Sequence, residues 1–215
     1  MAWSYTSLTS FETCPYRFYK TRVDKTFPEP QSDSMLWGNY VHKALELRLT
    51  ESAPLPNELA KYEQYAAPIQ AFKGSLAAER RVTISNTFKE VEWDSPDAWC
   101  RGIFDVVVDQ GKHVIVLDWK TGKRKADHDQ LKLFAALSSI VYPSAVHFST
   151  LYIWLKVGQQ DSARYVKADV PKIWGEFVSR VKRMDDAYAK GDFCKKPSGL
   201  CRRYCPVKSC QFCGA

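Results

Sequence analysis

No apolar run in the 215-residue chain approaches the ~20 residues that a membrane-spanning helix needs. The opening residues Met1-Ala-Trp-Ser-Tyr-Thr-Ser7 lack the basic-then-apolar layout of a secretory leader. Internal repeats and low-complexity tracts are also missing, which excludes solenoids and biased linkers. These absences lead to the expectation of a soluble, cytoplasmic protein with no membrane partner. The seven cysteines are an odd number, and nothing argues for an oxidising compartment, so a secreted disulfide scaffold is excluded as well.

At 45% hydrophobic and 26% charged residues, the composition is that of an ordinary globular domain. Thirty-one Lys and Arg stand against twenty-four Asp and Glu, giving a net charge of +7. Such a field attracts polyanions, which ranks nucleic acid first among partners. Apolar periodicity predicts helices over Ser7–Phe18, Met35–Leu49, Leu59–Ala77, Asp127–Val141 and Pro171–Lys190. Period-two patterning predicts strands over Arg81–Ser85, Phe88–Trp93, Trp99–Asp109, Lys112–Lys120, Val146–Leu155 and Arg164–Ala168. The expected class is α/β (α+β), with a mixed central sheet flanked by helices.

Two carboxylates stand out. Asp109-Gln110-Gly111-Lys112 reads as a hairpin with Gln110 and Gly111 in the turn. That loop sets Asp105 against Val116 and Asp118 against Ile103. The two acids are then diagonal neighbours on one side of the sheet, roughly 7–8 Å apart at Cα. Both lie in apolar strands, where an unpaired carboxylate is costly without a cation or hydrogen-bond partner. Lys120 projects from the face of Asp118, while Trp119 turns to the other face, to be buried against a helix. Mg²⁺ is commonly held by one or two carboxylates with water and phosphate completing its shell. Glu79, beside Arg80 and Arg81, reads first as an ordinary ion pair at a helix end, with an outer contact to such a site as the alternative.

Four short motifs in order now carry a resemblance. Gly38-Asn-Tyr-Val-His42-Lys-Ala-Leu-Glu46, Gly102-Ile-Phe-Asp105, Asp118-Trp-Lys120 and Gln130-Leu-Lys-Leu-Phe134 together resemble the motifs of the PD-(D/E)XK nuclease superfamily, and within it the RecB-like exonuclease branch. Phe134 stands where the family has Tyr, which removes a hydroxyl. The resemblance implies a restriction-endonuclease-like core in a single RecB-like nuclease domain: residues 1–34 as an N-terminal segment, 35–190 as the core and 191–215 as a basic tail. It implies Mg²⁺- or Mn²⁺-dependent hydrolysis of DNA, with an exonuclease expected. His42, Asp105, Asp118 and the Trp119 carbonyl would hold the metal. Lys120 would orient water and stabilise charge on phosphorus, and Gln130 would position the substrate or Lys120. A helicase or recombination partner is also implied.

The tail cysteines follow the spacing Cys201-x3-Cys205-x4-Cys210-x2-Cys213, among Lys195, Lys196, Arg202, Arg203 and Lys208 and without an acid. Clustered thiolates need compensation, which a metal supplies. Two readings stand. The resemblance implies a [4Fe–4S] cluster on Cys14, Cys201, Cys205 and Cys210 that joins the two chain ends; the alternative is Zn²⁺ on the four tail cysteines. Lys120, Lys123, Arg124 and Lys125 form a basic patch suited to a DNA backbone. A catalytically weak nuclease-fold module that binds DNA or a protein partner, with a Zn-binding tail, is the competing reading.

Overall fold

The computed structural model describes residues 2–214. Its elements are α1 (Tyr5–Thr13), α2 (Pro15–Phe18), a π-helical turn (Tyr19–Val23), α3 (Asp33–Thr50), a 3-10 turn (Asn57–Tyr62), α4 (Glu63–Gln70), β1 (Ser75–Ile84), β2 (Cys100–Asp109), β3 (His113–Lys120), α5 (Asp129–Val141), β4 (His147–Trp154), β5 (Gln159–Val166), α6 (Val170–Lys190) and α7 (Leu200–Arg203). The chain divides into two compact units. The larger holds residues 32–174; the smaller holds 3–31 together with 175–214.

The larger unit is built on one five-stranded sheet of order β1-β2-β3-β4-β5. β3 and β4 are parallel and every other pair is antiparallel, so the sheet is mixed as expected. On one side α3 and α4 lay Val41, Leu45, Leu49, Ala66 and Ile69 on Val106, Val108, Leu117, Trp119 and Ile153. Ser32 caps α3 by accepting the Met35 N–H. Helix α5 packs on the other side, where Phe134 meets Phe104 edge-on at 5.2 Å. Gly102 allows that approach, since a Cβ there would come within 2.9 Å of Leu137.

In the smaller unit Ser4 and Ser7 form a reciprocal capping box that starts α1. Trp3 stacks on Phe177 at 5.9 Å, and Phe11, Phe18 and Tyr188 continue that core. Glu12 accepts a fork of hydrogen bonds from Arg180 and a further one from Arg183.

Several expected boundaries differ. The helix expected over Leu59–Ala77 ends at Gln70, because Pro68 removes a helical donor and Gly74, at φ 130°, turns the chain into β1. The strand expected over Phe88–Trp93 is reduced to a single bridge between Ile84 and Glu90. The helix expected over Ser7–Phe18 is broken at Cys14, whose extended backbone separates α1 from α2. The tight turn of the hairpin is Gly111-Lys112, with Gln110 donating to the His113 carbonyl at 2.9 Å. Gly111, at φ 80°, occupies the first central position of the turn instead of the second. Val107 therefore faces Val116, and the pairing is shifted by two residues from the expected register.

A second departure matters more. Gly102 and Phe104 face α5, whereas Val106 and Val108 belong to the α3 side. All four have even numbers, so the alternation of β2 reverses between 104 and 106, at Asp105. On β1, Ala78 pairs with Val106 and Arg80 with Phe104, but the intervening Glu79 pairs with nothing and takes φ 48°. Two adjacent strands are thus irregular at the same level of the sheet. Irregularities of this kind re-aim side chains next to active sites.

Candidate active site

The irregular level of the sheet is where the acids gather. The β2–β3 ladder stops at Val106–Leu117, one step before Asp105 would face Asp118. In place of the next ladder bond, the Asp105 carboxylate accepts the Trp119 N–H at 2.7 Å. Helix α3 brings His42 to the opening, with Nε2 3.0 Å from the Trp119 carbonyl oxygen. His42 Nδ1 lies 3.4 Å from Asp105 and 3.8 Å from Glu79. Ligand atoms of His42, Glu79 and Asp105 all fall within 4.8 Å of one another.

Asp118 and Lys120 share the alternate face, in contact at 2.6 Å. Gln130, in the first turn of α5, accepts from Lys120 at 2.9 Å. The ammonium also lies 4.8 Å from the Tyr152 ring centre. Lys120 is therefore held on three sides, and Trp119, between Asp118 and Lys120 in sequence, is buried in the α3 core. Asp118 feels the charges of Asp105 and His42 but stands outside the group of ligand atoms formed by His42, Glu79 and Asp105, so the two acids do not form the expected diagonal on one regular pleat. Phe134 is buried, filling the hydrophobic position of its motif.

The electrostatics show a shortage of positive charge. Burial, then the neighbouring Asp105 charge, push the Asp118 carboxyl up to about 7, against the pull of Lys120 and His42. Burial alone would lower His42; hydrogen bonds to Asp105 and Glu79 and the charges of Asp105 and Asp118 outweigh it and raise the imidazolium to about 10. Carboxylates this crowded are relieved by a cation. The donor set of imidazole, carboxylates and a peptide carbonyl suits a divalent ion with hard-ligand preference. A groove of about 470 Å³, lined by Met35, Gly38, Asn39, His42, Glu79 and Thr121, gives access.

Glu79 is the member that sequence reasoning set aside. Its expected partners go elsewhere: Arg80 bonds Tyr142 and Glu90, and Arg81 stacks on Trp93. No local pattern marked Glu79, because its role comes from standing level with Asp105 on the neighbouring strand. The basic patch also changes. Arg124 pairs with Asp161, which also accepts from Trp154 Nε1 at 2.7 Å. With Lys120 turned to Asp118, two of the patch's four charges already have acidic partners.

The chain matches the family model of the PD-(D/E)XK nuclease superfamily over residues 2–211. The chain belongs to that superfamily. Among solved structures it is similar to one described as a "putative exonuclease" from Eubacterium rectale, at 13% identity and TM-score 0.55, covering 93% of this chain and 85% of that one. It is also similar to the structure described as SSO0001, at 15% identity, covering 96% and 85%, but at TM-score 0.45 that likeness carries no argument. No curated protein sequence matches. Among the described residues, no helix of this nuclease-superfamily chain is long and apolar enough to cross a membrane.

The cysteines lie in the smaller unit, Cys100 excepted. Cys14 Sγ accepts the Arg17 N–H at 3.5 Å. Burial raises the Cys205 thiol; a hydrogen bond from Val207 and the Arg17 charge oppose this, while Cys213 and Cys201 add to it. Cys213 Sγ lies 3.7 Å from the Cys205 carbonyl oxygen. Cys213, a spare in the cluster reading, therefore lies next to Cys205. Among the described residues the cysteines form no set with ligand atoms within 4.8 Å of one another.

Proposed function

We propose that this chain is a divalent-metal-dependent deoxyribonuclease of the RecB-like branch, hydrolysing DNA phosphodiesters and working from strand ends. The observation that carries this reading is the convergence of His42, Glu79 and Asp105 beside Asp118, with Lys120 fixed between Asp118 and Gln130. His42, Asp105, Asp118 and the Trp119 carbonyl would hold Mg²⁺ or Mn²⁺, and Glu79 adds a carboxylate to that set. The ion, when bound, polarises the phosphate and lowers the pKa of water.

The chain's own residues supply the rest. Lys120, held at its Nζ by Asp118 and Gln130, presents an ammonium to the attacking water and to charge developing on a phosphoryl oxygen. Gln130 keeps that ammonium in place from α5. Asp105 fixes the Trp119 peptide, and so aims the Trp119 carbonyl oxygen toward His42.

Cys14, Cys201, Cys205 and Cys210 would hold a structural [4Fe–4S] cluster. Support comes from the compact unit that the four cysteines share and from the positive charge of Arg17, which acts on the Cys205 thiol. A helicase or recombination protein is the partner class this reading implies.

Digestion of end-labelled linear, circular and single-stranded DNA with Mg²⁺, Mn²⁺ or EDTA tests the proposal. Metal-dependent loss of linear but not circular DNA supports it. Absence of cleavage on every substrate in both metals, by protein that binds them, overturns it.

A further inference from the structure

Beyond the acids, β1 and β2 continue as a two-stranded arm. Val82, Ile84, Gly102 and Phe104 face α5, so Arg81, Thr83, Arg101 and Ile103 project from the opposite side. That is the side from which Glu79 and Asp105 meet His42. Arg81 follows Glu79 by two residues, and Arg101 precedes Asp105 by four, about 13 Å along a strand.

Trp93 lies across this face. The guanidinium carbons of Arg81 and Arg101 are each 5.2 Å from the centre of its ring. An indole face attracts a guanidinium, and one ring here serves two of them. Two like charges on one ring repel, and an acid would normally sit between them. Glu92 and Asp94 flank Trp93 in sequence, yet neither forms an ion pair with either arginine among the described residues. The Arg101 Nε is buried without a hydrogen-bond partner. Arg81 is exposed, and so is Ile103 opposite it. The Arg81 fork, exposed and without an acidic partner among the described residues, matches the paired oxygens of a phosphodiester, and half-buried Arg101 adds its charge beside it.

We propose that Arg81 and Arg101, plated on Trp93, form a phosphodiester-binding subsite that holds the nucleic-acid strand as it leaves the cleavage centre. This rests on the nuclease reading above and adds the direction the substrate takes: along β1 and β2, away from α4. The 13 Å reach spans up to about four phosphates at the 3.4 Å spacing of a duplex strand, and fewer in an extended strand.

The test is fluorescence anisotropy of a labelled single-stranded oligodeoxynucleotide bound to the full chain in EDTA, across a salt series. For R81Q/R101Q the dissociation constant rises about tenfold or more, as expected for lost charge-assisted bonds. The slope of log affinity against log salt falls by about 1.4, at 0.7 per phosphate contact. R81K/R101K recovers the slope but not all of the affinity, since the fork is gone. R81Q alone, at an exposed position, gives about half the slope change and stands in if Arg101→Gln disturbs folding. Unchanged affinity and slope in R81Q, with a wild-type melting temperature, overturn the subsite. Because metal is absent throughout, the result is independent of cleavage: a chain that cuts nothing loses the nuclease reading while this measurement still decides the arginines.

Discussion

The Asp105 carboxylate accepts the backbone N–H of Trp119 at 2.7 Å, in the place where the next β2–β3 ladder bond would fall. One side chain therefore does two jobs: it satisfies a buried amide, and it turns a carboxylate toward His42. These jobs separate by substitution. Asp105→Asn keeps an acceptor for Trp119, so it folds with a near-native melting temperature and loses metal-dependent activity. Asp105→Ala leaves the amide unsatisfied at a cost of about 1–3 kcal/mol. Melting curves in EDTA check the split; equal midpoints for the two variants contradict it.

Asp118 makes the metal-free protein pH-sensitive. Its folded pKa, about 7, lies above the ordinary carboxyl value of 3.8, so the folded state holds the proton more tightly than the unfolded chain. The penalty of its charge is absent below pH ~4, grows as pH rises, and is complete above pH ~7. His42, raised from 6.5 to about 10, stabilises fully below pH 6.5 and loses that contribution toward pH 10. Stability in EDTA thus falls in two overlapping stages. Asp118→Asn removes the lower stage, is more stable than the wild type at pH 8, and has no nuclease activity. Each kcal/mol relieved shifts the midpoint by roughly 2–4 °C in a chain of this size. Adding Mn²⁺ reverses the wild type's loss at pH 8 but leaves Asp118→Asn much less affected.

Much of this site was legible in the sequence, and the exceptions have physical causes. His42, Asp105, Asp118, Lys120 and Gln130 are candidates because each lies in a short motif, and strand alternation places Lys120 with Asp118 and buries Trp119, as the structure has them. The hairpin register was misread because a Gly after Asp109 fits either central position of a two-residue turn, and only the φ of Gly111 decides. The reversal of alternation at Asp105 has no local signature; it answers to the irregular Glu79 on the neighbouring strand. Glu79 itself was misassigned because adjacency to Arg80 and Arg81 suggested pairing, whereas both arginines found partners across the fold.

Glu79 provides a discriminating variant. With Nδ1 of His42 at 3.8 Å and Asp105 in the same group, its carboxylate adds charge to the metal set. Glu79→Gln lowers Mn²⁺ affinity or activity by about 10–100-fold, the usual cost of altering the surroundings of a metal ligand. Calorimetric titration with Mn²⁺ reads the change directly. Wild-type affinity in Glu79→Gln returns the residue to a purely structural role.

Gln130 and Phe134 lie on the same helix and separate positioning from packing. Gln130 accepts from Lys120 at 2.9 Å, and Lys120 retains Asp118 and the Tyr152 ring when that bond is lost. Gln130→Ala therefore leaves the ammonium charged but less constrained. Turnover falls about tenfold to a hundredfold, as for misplacement of a catalytic group, with little change in melting temperature. Phe134 is buried against Phe104, so Phe134→Tyr inserts a hydroxyl into an apolar contact. That costs about 1–3 kcal/mol if the hydroxyl finds no acceptor, and the loss shows in the melting curve while turnover holds. A Gln130→Glu variant completes the series: its carboxylate still accepts from Lys120, but adds a negative charge facing the phosphate, so activity falls further than in Gln130→Ala although the bond is kept. Activity in Gln130→Glu equal to the wild type would show that Gln130 does no more than accept from Lys120, and that its neutrality beside the substrate is immaterial.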